Sequence, residues 1–213
     1  MTITNNQSPG ATSQVTAKIT SQASKPMTLE EYLSYDDGTD ARYELRDGLL
    51  VDMGAESDIN VVIGSLLFSI FLQWVPYYCV RRGTEIQVSG SAANTRYPDL
   101  VIVTETGAAA LVGKQRSLIT FGMPAPALVV EVVSSSDTDQ RSRDRDYIDK
   151  RQEYARRGIP EYWIIDPVAS VILVLELVQG SYQEQKFTGE QRLISPGFPA
   201  LDLNAKQVLE AGL

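Results

Sequence analysis

Between Ala127 and Val133 the chain reads Ala-Leu-Val-Val-Glu-Val-Val, and this run constrains the fold more than any other segment. A near-continuous apolar stretch of that length, rich in β-branched residues, predicts a strand buried on both faces of a sheet. Glu131 stands inside it. An ionised carboxylate in such surroundings is costly unless a cation or a tight set of hydrogen-bond donors compensates it, so Glu131 requires a partner. A second acid has a similar setting at Tyr97-Pro98-Asp99-Leu100-Val101-Ile102-Val103, where proline opens a strand because its missing N–H is tolerated at the first position. Asp99 and Glu131 are therefore candidates for one shared site. The alternatives are a turn role for Asp99 and a buried Glu–Arg pair for Glu131.

Composition narrows the chemistry. Histidine is absent from the 213 residues, which excludes a Ser-His-Asp triad, a His-assisted thiol and imidazole ligation of zinc. A metal would have to be held by oxygen, and oxygen-only sites favour Mg²⁺, Mn²⁺ or Ca²⁺. Cys79 is the single cysteine and reads as a small buried hydrophobe. The hydrophobic content of 43% suits one globular domain, expected over residues 26–213. Residues 1–25 are rich in Thr, Ser, Gln and Asn without an apolar core segment, so a disordered leader is expected rather than a signal peptide. No run reaches the ~18 apolar residues of a membrane span, and a cytoplasmic location without membrane contact is the expectation.

The net charge of −8 argues against indiscriminate nucleic-acid binding. Locally the balance reverses: residues 141–157 hold seven basic side chains against four acids, a local +3. That segment is either a solvated helix face with i,i+4 pairs or a phosphate-facing one.

Along the chain, Thr28-Leu-Glu-Glu31 is a capping box for a short helix ending near Tyr35. Arg42–Leu45 and Leu49–Met53 flank Asp47-Gly48, a hairpin signal, with Glu44 on the first strand. Ser57 is placed to cap an apolar helix to about Trp74. Strands are expected at Tyr77–Arg82, Thr84–Val88, Pro98–Val103 and Ala127–Val133, with a loop from about Thr106 to Pro126. A helix from about Gln140 to Arg157 should stop at Gly158, and Glu161–Asp166 then completes a β-α-β crossover with parallel partners. Ser170–Val178, Tyr182–Thr188 and Gln191–Ser195 read as an antiparallel extension, and Tyr162 and Trp163 as core. The predicted class is α/β with a mixed sheet.

Taken together, Tyr43-Glu44-Leu45, Asp47-Gly48, Pro98-Asp99, Glu131-Val-Val-Ser134 and the block from Asp146 through Lys150, Tyr154 and Gly158-Ile-Pro-Glu-Tyr-Trp-Ile-Ile-Asp-Pro167 resemble the Uma family of bacterial restriction-endonuclease-like proteins. The resemblance spans about residue 27 to the C-terminus, and its last block is the most specific. It implies a PD-(D/E)XK nuclease fold and Mg²⁺-dependent hydrolysis of DNA phosphodiesters, with Mn²⁺ as a substitute; a homodimer is the expected unit, since dimerisation could supply a cleft wide enough for a duplex. It maps Asp99 and Glu131 onto the motif acids that bind metal. The usual lysine, two residues past the glutamate, is replaced by Val133, and the resemblance shifts that role to Lys150. Asn60 stands where many relatives have histidine, and Ser134-Ser135-Ser136 replaces a more usual Ser-Pro.

The residues themselves suit that chemistry. Asp99 and Glu131 carboxylates and a main-chain carbonyl near Val132 could ligate a hard cation, with Lys150 as acid–base or charge-stabilising group. Asp146, Lys150 and Tyr154 recur every four residues and so share a helical stripe, with Asp146, Tyr154 and Glu44 in supporting roles. Lys150 as an ordinary exposed helix lysine, and Glu44 as a surface acid beside Arg42 or Arg46, are the plain alternatives. At the level of function, a catalytically silent DNA-binding or interaction module of the same fold competes with the endonuclease.

Overall fold

The computed structural model describes residues 25–89, 93–133 and 145–212, without the side chains of Ser89, Arg145 and Asp146. The leader expected over residues 1–25, apart from Lys25, lies outside the described residues, as do Ser134–Ser136 and the first turn expected of the helix after Gln140.

The chain becomes described just ahead of α1 (Leu29–Leu33), whose capping box is formed as the sequence predicts. The Thr28 hydroxyl accepts from the Glu31 N–H at 3.2 Å, and the Glu31 carboxylate accepts from the Thr28 N–H at 2.7 Å. β1 (Tyr43–Arg46) and β2 (Leu49–Asp52) follow as the expected hairpin. Asp47 and Gly48 both take positive φ, 50° and 80°, as a two-residue hairpin turn requires. A side chain at Gly48 would also press within 2.9 Å of the Met27 carbonyl, so glycine is needed twice over.

α2 (Asp58–Phe71) buries Ile63, Leu67 and Phe71. Ser57 is its N-cap residue, but its hydroxyl donates to Asn60 Oδ1 at 2.7 Å instead of accepting a backbone N–H. The strand expected over Tyr77–Arg82 is shorter: residues 77–79 form a 3₁₀ turn and only β3 (Val80–Arg81) pairs. β4 (Glu85–Ser89), β5 (Asn94–Arg96) and β6 (Leu100–Ile102) come next. The loop expected over residues 106–126 in fact contains α3 (Glu105–Leu111), capped by the Thr104 hydroxyl, and β7 (Leu118–Ile119).

β8 (Leu128–Val132) is buried along its whole length, in agreement with its apolar run. A π-helical turn, Arg145–Asp149, leads into α4 (Lys150–Arg157), which ends at Gly158 with φ 77°, the left-handed cap expected there. β9 (Glu161–Asp166) lies parallel to β8, with Glu131 opposite Ile164, so the β-α-β crossover is present. β10 (Val171–Val178) and β11 (Ser181–Phe187) add the antiparallel extension. The third extension strand, expected at Gln191–Ser195, is reduced to one bridge between Arg192 and Asn204. The chain closes with α5 (Ala205–Leu209), capped by Asn204.

The main sheet has the order β11-β10-β9-β8-β6-β3, which puts β8 well inside it. A second sheet, β5-β4-β7, and the β1-β2 hairpin lie beside it. One face of the main sheet packs Leu100, Val130 and Trp163 against Ile63, Leu67 and Phe71 of α2 and Val208 of α5. The other packs Val101, Val129 and Tyr162 against Tyr154 of α4 and Leu111 of α3. Burial of both faces explains why β8, β9 and the first half of β10 carry almost no polar alternation. The exceptions are acids, and Glu131 is the one at the centre.

Candidate active site

β6 and β8 pair antiparallel with Leu100 opposite Val130, so continuing the register by one residue sets Asp99 across from Glu131. Alternation along each strand then turns both side chains to the face that holds Val101 and Val129, the face covered by α4. Asp99 lies just before β6 begins, and its Oδ2 accepts from the Val132 N–H at 2.6 Å. That contact excludes a mere turn role for Asp99, because the carboxylate crosses to the next strand.

α4 delivers two groups to Glu131. Lys150, at its N-terminal end, places Nζ 2.8 Å from Glu131 Oε2. Tyr154, one turn later, donates its hydroxyl to Glu131 Oε1 at 2.6 Å. Glu131 is 3% exposed, Lys150 3% and Tyr154 0%, so the pair forms a desolvated ion pair with a phenol bound to it. Burial first, and then the neighbouring Glu131 charge, push the Tyr154 phenol well above its ordinary pKa, so it stays a donor. The partner of Glu131 is thus a lysine rather than an arginine, and Lys150 is not the exposed helix residue that its sequence setting also allowed.

Glu44 is fully buried, against the surface-acid alternative. Its Oε1 accepts from the Tyr97 N–H at 2.9 Å, while Oε2 lies 3.4 Å from Arg46 Nη2 and 3.6 Å from Arg96 Nη1. Burial pushes the Glu44 carboxyl up, yet Arg96, Lys150 and Arg46 draw it back, and its pKa ends below the ordinary value. Arg96 in turn holds Glu153 through two bonds of 2.8 and 2.7 Å. Desolvation works against the Arg96 charge, but Glu44 and Glu153 outweigh it and raise its pKa. This chain of ion pairs ties the segment Arg96-Tyr97-Pro98-Asp99 to the helix that carries Lys150. Arg96 and Glu153 had not been singled out in the sequence. The available signals were an arginine three residues before Asp99 and an acid at i+3 from Lys150 on the same helix face.

Asn60, on α2, donates its amide to the Val132 carbonyl oxygen at 2.9 Å. Arg82 Nε donates to the Asp99 carbonyl at 3.3 Å and its guanidinium pairs with Glu56. The structure therefore brings together Asp99, Glu131, Val132, Lys150 and Tyr154, with Glu44 behind them. The Asp146 side chain lies outside the described residues, and the π turn at 145–149 interrupts the four-residue stripe that was expected to carry it. The basic segment is also redistributed. Arg151 pairs with Glu184 at 2.8 Å, and Arg157 donates to the Thr120 and Met123 carbonyls, so these cations brace the fold rather than face outward together.

Two carboxylates and a main-chain carbonyl form a hard oxygen donor set, which suits Mg²⁺ or Mn²⁺ when water and phosphate oxygens supply the remaining positions. Among the described residues no cluster of three or more metal-ligating side chains is present, so within them this pair supplies the side-chain ligands. No helix among the described residues is long and apolar enough to cross a membrane.

Comparison with known proteins agrees with this architecture. A crystal structure described as "a putative nuclease belonging to DUF820" from Anabaena variabilis is similar over 88% of this chain and 100% of its own, with a TM-score of 0.66 and 19% identity. That likeness establishes a restriction-endonuclease-like fold. No curated protein matches the chain. The family model "Uma2: Putative restriction endonuclease" matches residues 29–206, and the chain belongs to that family.

Proposed function

We propose that this protein is a Mg²⁺-dependent endonuclease that hydrolyses phosphodiester bonds of DNA, acting as a homodimer in the cytoplasm. The observation that carries the reading is the arrangement around Glu131: a strand-borne acid, a second acid on the neighbouring strand, and a lysine ammonium 2.8 Å away. The family to which the chain belongs, and its fold, support a nuclease-like role.

In this reading the Asp99 and Glu131 carboxylates and the Val132 carbonyl hold the cation, with Mn²⁺ as substitute. The ion would acidify a water and neutralise charge growing on the scissile phosphate. Lys150 lends a positive charge beside the same oxygens, where low local dielectric strengthens it, and stabilises the negative phosphoryl oxygens of the transition state. Tyr154 fixes the Glu131 rotamer through Oε1, leaving Oε2 toward Lys150. Glu44 holds the Tyr97 N–H, two residues before Asp99, and so sets the approach of that carboxylate. Asn60 orients the Val132 peptide.

A second reading, a DNA-binding or interaction module without catalysis, is favoured by one feature. Each Glu131 oxygen already has a protein partner, and the Val132 carbonyl has Asn60. Incubation of supercoiled plasmid with purified protein and Mg²⁺ separates the two. The endonuclease predicts nicked or linear product that vanishes with chelator and in Asp99→Asn and Glu131→Gln. Plasmid and single-stranded DNA both left intact by a protein that still retards DNA would establish the silent module instead.

A further inference from the structure

The geometry points to the groove beside Asp99 as the seat of one unpaired nucleic-acid strand, which names the substrate form for the nuclease reading above and rests on it. The groove is open, encloses about 660 Å³, and is walled by Ser65 and Phe68 of α2 together with Tyr78, Arg81, Arg82 and Thr84. Its volume is on the scale of a small ligand, room for a short length of one strand and not for a duplex.

Three observations converge on that occupant. First, the groove adjoins the main chain of Asp99, because Arg82 both lines it and donates to the Asp99 carbonyl at 3.3 Å. A Cβ at Gly64 would come within 3.1 Å of the Arg82 guanidinium carbon, so the glycine lets Arg82 lie against α2 along the groove floor. Second, the wall combines guanidinium groups with hydroxyls of Ser65, Thr84 and Ser117, the side-chain types that contact phosphate and sugar oxygens. Third, the rim is aromatic. Tyr78 is 42% exposed and Tyr77 76%, and their rings meet edge to face at 5.5 Å. Trp74, also well exposed, stands just before them in the chain.

Exposed rings next to arginines form a platform on which bases stack. Duplex DNA keeps its base faces covered by neighbouring base pairs, so only an unpaired or splayed strand can use such a platform. The acid composition agrees, since a net charge of −8 leaves little long-range attraction and gives stacking the larger share of binding. Arg82 is already paired with Glu56, so the predicted salt dependence is shallow, a log–log slope of about −0.7 if Arg81 neutralises one phosphate.

Fluorescence anisotropy of the full chain tests this, with chelator present so that binding is read apart from cleavage. The probes are a labelled oligothymidylate, a blunt duplex and the same duplex with a single-stranded overhang. The expected order is oligothymidylate and overhang duplex tighter than blunt duplex. Tyr78→Ala should weaken oligothymidylate binding on the order of tenfold or more, while Tyr78→Phe, which keeps the ring, binds as wild type. Arg81→Ala should weaken every probe and reduce the salt slope by about 0.7. Tyr77→Ala replaces Tyr78→Ala if the latter fails to melt cooperatively.

Wild-type affinity in both the aromatic and Arg81 variants would overturn the proposal. So would equal losses on blunt duplex and oligothymidylate, or a loss of self-association in Tyr78→Ala with oligonucleotide binding intact. Plasmid cleavage by a protein whose aromatic variants bind normally would sink the groove and spare the nuclease reading. Oligothymidylate binding that depends on Tyr78, in a protein that never cuts, would do the reverse.

Discussion

Lys150 Nζ lies 2.8 Å from Glu131 Oε2, while the residue two places beyond Glu131 on the same strand face, Val133, is buried among apolar side chains. The ammonium therefore reaches the acid from the start of α4 rather than from β8. Helix and strand are tied at this point by charge, and the tie is desolvated on both sides.

Lys150→Ala should consequently do two things at once. Cleavage is expected to fall on the order of 10² or more, through lost charge stabilisation. Stability should also fall, by about 3–5 kcal/mol, because Glu131 is left as a buried charge without its lysine. Urea denaturation checks the second effect. An exposed lysine would change stability by no more than about 0.5 kcal/mol, and that result would contradict the buried pair.

Adding Val133→Lys to Lys150→Ala is expected not to restore activity. Val133 is 2% exposed and clusters with Tyr154, Ile159 and Ile164, so an ammonium there would be buried away from water. Partial recovery of single-turnover cleavage would mean that this strand end opens to solvent.

Tyr154→Phe removes the hydroxyl that Glu131 accepts at 2.6 Å but keeps the ring against Tyr162, edge to face at 5.0 Å. A hydrogen bond to a charged group is worth about 1.5–3 kcal/mol, and that is the expected loss in urea at an unchanged m-value. No loss would show that water or another donor replaces the phenol.

Glu44 supplies a pH prediction. Its folded pKa lies below the ordinary 4.5, since Arg96, Lys150 and Arg46 together outweigh its burial. A depressed carboxyl stabilises the fold above its unfolded pKa and loses that contribution as pH falls through the folded value. Glu44→Gln should therefore cost about 1.5–3 kcal/mol near neutrality, since Arg96 keeps Glu153 but loses a buried charge partner, and the gap to wild type should close below pH 4.5. A gap independent of pH between 7 and 3 would contradict the ionised state assigned to Glu44.

Local signals in the sequence carried much of this architecture. The Thr28–Glu31 capping box, the Asp47-Gly48 turn and the Gly158 stop are short-range devices, and each occurs where it was read. The apolar run at Ala127–Val133 marked the central strand because burial on both faces removes polar alternation. What stayed hidden depends on contacts distant in sequence. α3 is hidden because it is only seven residues long, contains Gly107 and has in Leu111 a single large apolar residue, too little for a helical period to show, although the Thr104 hydroxyl caps its N-terminus. The segment expected as a strand at Gln191–Ser195 pairs with the chain around Asn204 through one bridge, and among the described residues its alternation joins no sheet. Arg96 and Glu153 are 57 residues apart, and nothing local in the sequence links them.

The most direct test of the account is calorimetric titration of the full chain with Mn²⁺, comparing wild type with Asp99→Asn and Glu131→Gln. Both substitutions keep side-chain shape, and Asn retains an oxygen for the Val132 N–H that Asp99 Oδ2 now accepts at 2.6 Å. A shared carboxylate site predicts one Mn²⁺ bound by the wild type and none by either variant. Mn²⁺ binding of wild-type strength in both variants would contradict it.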